Sequence, residues 1–492
     1  MSRQDILEWI SWGLFDRPTP ELSISEQQEL GGYVNQLAQL AQLELPNAGH
    51  EAVQLPCMKA TWQPFASTEQ VVHLPLLVYS AVALGDLVAS LWLRWHGFQL
   101  RTTSADSGRL RYWERSAPEA TVAPVINHHP VTKTIITDDT PDAASASQEP
   151  LPAVFFHGMG IGLLPYCMHF LPDLLRLQEQ RELGTLLLVR QPFISMDILE
   201  ASRNSHPTAE KLVTAVEEML VPSASASASA AGRQPSALFI GHSFGTFHVA
   251  HMCRLRPKCV AGAVFLDPMC FMLHLGTTTE ASVYAPLRSE TSLSRRMLRG
   301  ELLTNITLRR RFCWHQNCLW LEDLREAQLL ATTTTTTTTA TKTAATTTTT
   351  TPPTTTATSV KPGWGVGGET PGVLGGTSRA LVVLGGQDTL MASVDIQNYL
   401  GKGVQLLAFP EGTHGQVVLS QDHARQVSAH IEQLAASLKT YWDLERVTMW
   451  SLPADEGGEH KGVIAATTYT YLQQSIRCAS FGTFPPDLKY AS

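Results

Sequence analysis

The pentapeptide Gly241-His242-Ser243-Phe244-Gly245 sets a serine between two glycines. A serine hydroxyl is a poor nucleophile until a base takes its proton, and that base needs a partner to hold its tautomer. Gly-x-Ser-x-Gly by itself is a modest signal. It gains weight when a buried strand precedes it and a helix follows, because the serine then occupies a strained turn with its Oγ exposed. Here the apolar run 237–240 leads straight into the pentapeptide, and residues 246–254 suit the helix behind it.

The base and its partner are sought further along, in the order serine, acid, histidine. Asp388 follows the apolar run 380–384, and His414 follows the run 404–409 in Gly412-Thr413-His414-Gly415. Asp267 is the alternative acid, since it also ends an apolar run; its competing role is an Asp-Pro turn that stops the strand. His242 reads as a packing neighbour, because adjacent residues do not readily align for proton transfer, and His423 reads as a solvated helix residue. Charge developing on a substrate oxygen must meet fixed donors. The backbone amides of Phe244, after the serine, and Met159, in His157-Gly158-Met159-Gly160, are the expected pair forming an oxyanion hole. This chemistry calls for no cofactor and no metal.

Those residues need elements to position them. Short apolar runs at 151–156, 185–190, 237–240, 260–266, 380–384 and 404–409 alternate with helical patterns such as 206–220 and 422–438. That alternation predicts a mostly parallel sheet with crossover helices, and each candidate residue falls just after a strand. Residues 138–150, the Ser-Ala run at 222–235 and the threonine tract at 332–358 bury too little apolar surface to order themselves and read as loops. The aromatics Phe312, Trp314 and Trp320 suit the buried face of a cap helix, or an acyl-binding wall over Ser243, and Arg309–Arg311 a solvated face.

The 492 residues are 43% hydrophobic, enough for a large core, and the net charge of -8 argues against a nucleic-acid partner. Eight scattered cysteines without a CxxC pair read as reduced, buried thiols. The first fourteen residues lack the features of a signal peptide, so the sequon at Asn305 is expected to be silent and the chain otherwise cytoplasmic. Residues 71–93 are nearly all apolar and long enough for a membrane span, with Trp95 and Arg94 suited to an interface. Asp86 near their middle weighs against a span, leaving a single span, an interfacial helix or a buried flank helix open. Ile6, Trp9, Ile10, Leu14 and Phe15 have helical spacing and suit the same surface or the core.

Taken together, His157-Gly158-Met159-Gly160, the Ser243 pentapeptide, Gly386-Gln387-Asp388 and His414-Gly415 resemble the α/β-hydrolase fold superfamily over about 110–438. Tyr112-Trp113-Glu114-Arg115, Leu266-Asp267-Pro268 and the stretch 311–324 are similar to a group of large fungal and algal α/β hydrolases with an N-terminal membrane segment. The resemblance implies a doubly wound, mostly parallel sheet with a helical cap. It divides the chain into an N-terminal helical, membrane-associated region (1–109), a hydrolase domain (110–438) and a C-terminal extension (439–492). Within the domain it puts the cap at about 268–330, the Thr/Gly-rich insertion at 331–378 and the Ser-Ala loop at 222–235. The expected activity is cleavage of carboxylic esters, small or lipid, by Ser243, His414 and Asp388 through an acyl-enzyme. Acyl transfer, thioester hydrolysis and a non-catalytic binding protein on the same fold are the alternatives.

Overall fold

The computed structural model describes residues 3–11, 15, 19–42, 74–118, 150–203, 206–221, 235–273, 278, 280–284, 300–312, 317–331 and 378–449. Their helices run in order as α1 (Arg3–Ile10), α2 (Ile24–Ala41), α3 (Leu76–Trp95), α4 (Phe170–Glu179), α5 (Ile198–Ala201) and α6 (Ala209–Leu220). They continue as α7 (Gly245–Leu255), α8 (Leu302–Ile306), α9 (Leu321–Glu326), α10 (Ser393–Leu400), α11 (Gln416–Leu419) and α12 (Gln421–Met449).

Eight strands form one sheet: β1 (Gln99–Thr102), β2 (Arg111–Arg115), β3 (Ala153–Phe156), β4 (Leu186–Val189), β5 (Ala237–His242), β6 (Val260–Leu266), β7 (Ala380–Gly385) and β8 (Gln405–Phe409). Their spatial order is β1-β2-β4-β3-β5-β6-β7-β8. β2 pairs antiparallel with β1 and with β4, and every other pairing is parallel. The six apolar runs are the parallel strands. The antiparallel edge of β1 and β2 escaped the sequence reading, because Gln99-Leu-Arg-Thr102 and Arg111-Tyr-Trp-Glu-Arg115 are short and charged. β1, part of this sheet, lies before residue 110, from which the resemblance implied the hydrolase domain.

Alternation along each strand sorts the core into two layers. Val154 and Phe156 of β3 face Val216 of α6 and Phe247 of α7 in one cluster. Ala153 and Phe155 face Phe170 and Leu174 of α4 and Ile431 of α12 in the other. Strands buried on both faces must be apolar throughout, which is why β3 to β7 read as continuous runs. Helices cover both faces, so the sheet is doubly wound.

Smaller features follow the same physics. Ile6 and Ile10 of α1 pack with Leu30, Val34 and Leu37 of α2 in a satellite cluster that Trp9 and Phe15 join; Leu14 lies outside the described residues. Cys167, Cys253, Cys259, Cys270 and Cys318 are buried thiols outside any disulfide, and burial pushes the Cys167 thiol up to about 12. Asn305 of the sequon is buried in α8, out of reach of modification in the folded chain. Phe312 packs on Phe244 and Phe247, with ring centres 5.5 and 4.6 Å apart, and Trp320 is buried as well. Both therefore belong to the core, whereas Trp314 lies outside the described residues. Arg309 is less solvated than expected, since its guanidinium donates to the Val283 carbonyl at 2.9 Å. His423 also differs from expectation: it stacks on Phe409 with ring centres 4.1 Å apart.

Candidate active site

Ser243 sits where β5 turns into α7, with φ +52°, a left-handed conformation costly for a residue with a side chain. Three hydrogen bonds hold it there: Ser243 N–H donates to Leu266 O at 2.8 Å, and Thr246 donates to Ser243 O through its amide at 3.0 Å and its hydroxyl at 2.6 Å. The flanking glycines are needed for close approach. A Cβ on Gly245 would collide with the Phe156 carbonyl oxygen, so β3 and α7 pack closely only because none is present.

Ser243 Oγ lies 2.7 Å from His414 Nε2, and His414 Nδ1 lies 2.6 Å from Asp388 Oδ2. The Asp388 side chain is fully buried, and its other oxygen accepts from Leu390 N–H at 2.7 Å. A carboxylate only accepts, so Nδ1 carries the imidazole proton and Nε2 is left to accept from the serine. The structure thus brings Ser243, His414 and Asp388 into one hydrogen-bonded line across the ends of β5, β7 and β8.

Asp267 takes a different place. Its side chain accepts from Gly385 N–H at 3.2 Å and Gly415 N–H at 2.7 Å, tying together the two turns that carry Asp388 and His414. It too is held at positive φ, +44°. Ligand atoms of Asp267, Asp388 and His414 lie within 4.8 Å of one another, a spacing that would admit a cation. Each of these ligand atoms already has a partner: a backbone amide, another member of the group, or Ser243.

The turn after β3 crosses directly over the serine. A Cβ on Gly158 would lie 3.0 Å from Ser243 Cβ and 2.8 Å from His242 Nδ1, so glycine alone fits. Among the described residues, the amides of Met159 and Phe244 donate to no acceptor, whereas their neighbours Gly158, Gly160 and Ser243 do. Two unspent donors flanking Ser243 are what an anionic oxygen would need.

Several residues of this site were not legible in the sequence. The Tyr166 hydroxyl accepts from Gly158 N–H at 2.8 Å and is hydrogen-bonded to His242 Nδ1 at 2.6 Å, bridging the turn after β3 to the turn after β5. His242 is accordingly a positioned neighbour, its pKa lowered by burial; its Nε2 stands 3.8 Å from Asp267 Oδ2, too far for a hydrogen bond. Gln191 donates to His157 O at 2.7 Å and pairs with His248 Nε2 of α7 at 2.6 Å, a second tie between the same two segments. Burial holds His157 neutral, with a pKa lowered to about 4. Met269 Sδ closes one side of Ser243 at 3.5 Å. No sequence motif marks Tyr166 or Gln191, because their partners lie 8 to 76 residues away.

Tyr166→Phe is expected to leave the Gly158 amide and His242 Nδ1 buried without partners. Each such group costs about 1–3 kcal/mol, so the melting temperature should fall by several degrees. With Gly158 loosened, kcat should also fall, by about tenfold, while KM changes little. Thermal melts and steady-state kinetics on an ester check both; a variant matching the wild type in both would show that the bridge carries no weight.

The ordered elements, the strained serine turn and its hydrogen-bonded histidine define the class. The chain belongs to the alpha/beta hydrolase family, whose sequence model matches residues 153–430. Solved structures with a similar chain path include a bacterial membrane phospholipase A, at 12% identity over 73% of this chain and 94% of that one, with a TM-score of 0.38. They also include the carboxylesterase CesB of Bacillus subtilis, at 12% identity over 72% and 96% with a TM-score of 0.34. The naproxen esterase of Bacillus subtilis is similar at 13% identity over 72% and 96%, again with a TM-score of 0.34. No curated protein matches the sequence.

Proposed function

We propose that the protein is a serine hydrolase that cleaves carboxylic esters through an acyl-enzyme. The observation that carries this reading is the line from Ser243 Oγ to His414 Nε2 at 2.7 Å and from His414 Nδ1 to Asp388 at 2.6 Å. His414 takes the Ser243 proton as Oγ attacks the ester carbonyl, and Asp388 stabilises the imidazolium that forms. The amides of Met159 and Phe244 receive the charge on the carbonyl oxygen. His414 then passes its proton to the departing alcohol, leaving the acyl group on Ser243. Water, deprotonated by His414, repeats the sequence and releases the acid. The relay needs no cofactor. The apolar Met269 side chain beside Ser243 Oγ favours an apolar acyl chain, from a small-molecule or a lipid ester. Membrane association through the segment near 71–93 belongs to the same reading, supported by one helix, Leu76–Trp95, apolar and long enough to cross a bilayer.

A fluorophosphonate reagent reacts with serines activated in this way. It is expected to label the protein, with the adduct on the peptide containing Ser243 by mass spectrometry, and pretreatment should block turnover of an ester panel of graded chain length. Absence of labelling together with absence of turnover across esters and thioesters would overturn the reading in favour of a binding protein.

A further inference from the structure

The helix α3 is docked along the domain by one face and bare along the other. On the docked face Ala89 and Leu93 are buried, and a Cβ at Gly85 would meet Leu164 Cδ2 at 2.9 Å. Tyr79 donates to Glu301 at 3.1 Å. Asp86, the residue that argued against a span in the sequence, accepts from both terminal nitrogens of Arg190 at 3.2 Å. Arg190 follows β4 and also binds Asp197 at 3.0 Å and Glu200 at 2.8 Å, while Arg111 of β2 binds Glu200 at 3.1 Å. The carboxylate is therefore part of an ion-pair cluster built into the domain.

The opposite face carries Leu77 (79% exposed), Leu84 (61%), Leu87 (53%), Leu91 (59%) and Trp95 (88%), with Val88 between them. Among the described residues nothing covers it. Ser80 is the one polar exposed residue from Leu77 to Leu91, and its hydroxyl is turned back onto the Leu76 carbonyl at 3.0 Å. A stripe running the length of a helix of about 30 Å exceeds the scattered apolar surface of ordinary soluble proteins.

We propose that α3 lies flat in the surface of a lipid bilayer, as an interfacial helix held parallel to the membrane by the Asp86–Arg190 ion pair, and does not cross it. Crossing would strip Asp86 of its partner and carry it into hydrocarbon, which is strongly disfavoured. A protein partner is the poorer fit, because among the described residues Ser80 is the one polar side chain exposed from Leu77 to Leu91, with little to satisfy across an interface. Trp95 at the end of the stripe, beside the exposed Arg94, suits the headgroup level. The placement also has a use. A cavity of about 470 Å³ lies between this helix and the turn after β3, lined by Tyr79, Ala83, Asp86, His157, Ile161 and Ile198. It reaches His157, next to the Gly158 that covers Ser243. Arg190, Gln191 and Asp197 line it too, and Ser243, His414 and Asp388 do not, so, resting on the reading of Ser243 as nucleophile, what the docked helix supplies is nearness of the domain to esters carried in the membrane.

The test is flotation of the full chain with phosphatidylcholine vesicles, comparing wild type with a Leu84→Ser, Leu87→Ser, Leu91→Ser variant. These residues line neither the cavity nor the Ser243 site, so hydrolysis of a short water-soluble ester should be unchanged, and an unchanged thermal melt certifies the fold. The wild type is expected to float and to be released by alkaline carbonate, and the variant to bind vesicles at least tenfold less. Wild-type protein that stays at the bottom of the gradient, or that resists carbonate as a span does, would overturn the proposal. So would a wild-type dimer that the variant converts to monomer, since a second copy would then be the occupant. Flotation requires no turnover, so vesicle binding without ester hydrolysis would leave the docking intact and remove only the esterase reading.

Discussion

Ser243→Ala is expected to lower kcat for ester hydrolysis by about four to six orders of magnitude, to the residue left by binding and the oxyanion donors. The loss is this large because His414 and Asp388 have no independent route to an acyl-enzyme once Oγ is gone. Alanine keeps the left-handed strain of the position, φ +52°, and removes only the hydroxyl that contacts His414 and Met269. The melting temperature should therefore stay close to that of the wild type. Ser243→Gly makes the complementary point. It should be equally inactive yet more stable by about 0.5–1 kcal/mol, because relief of the left-handed cost outweighs the added freedom of the unfolded glycine. Activity measured with a purified, labelled-ester substrate and melts by circular dichroism check both variants. An alanine variant retaining a tenth of wild-type turnover would remove Ser243 from the mechanism.

The second large effect separates two buried aspartates. Asp388→Asn should reduce kcat by about ten-thousandfold with little change in stability. The amide can still accept from Leu390 N–H at the Oδ1 position, but it presents an NH2 to His414 where Oδ2 now accepts at 2.6 Å. The imidazole must then carry its proton on Nε2, where it cannot take the serine's. Asp267→Asn should do the reverse in emphasis. Both Asp267 oxygens accept from backbone amides, Gly385 and Gly415, and an NH2 facing either leaves two buried donors opposed. The expected cost is about 2–3 kcal/mol of stability, seen as a lower urea midpoint, with a smaller fall in kcat from the displaced Gly415 turn. If Asp267→Asn abolished turnover in a fully stable protein while Asp388→Asn did not, the two roles would have to be exchanged.

That the two aspartates could be ranked but not separated in the sequence has a physical basis. Both follow apolar strands, at Leu266 and Leu384, and chain position says only that each reaches the same edge of the sheet. Which one meets His414 depends on the lateral spacing of β6, β7 and β8 and on the two backbone amides that claim Asp267. The parallel strands were legible because burial on both faces demands an unbroken apolar run. β1 and β2 were not, since the edge strand β1 carries Arg101, and its neighbour β2, buried only at Tyr112 and Trp113, carries Arg111 and Glu114, so neither reads as an apolar run.

The sequence by itself determined the fold class, the strand-turn-helix setting of Ser243 and that Asp267, Asp388 and His414 each follow a strand. Each is a local property: an apolar run of fixed length, a glycine where a side chain would collide, a short motif after a strand. Only the tertiary structure decided what those residues touch. Tyr166 bridging Gly158 to His242, Gln191 joining His157 to His248, and Asp86 answering Arg190 across 104 residues are contacts between segments remote in the chain. No local rule encodes them, because hydrogen bonds and ion pairs depend on distances that exist only once the sheet has closed and its helices have packed.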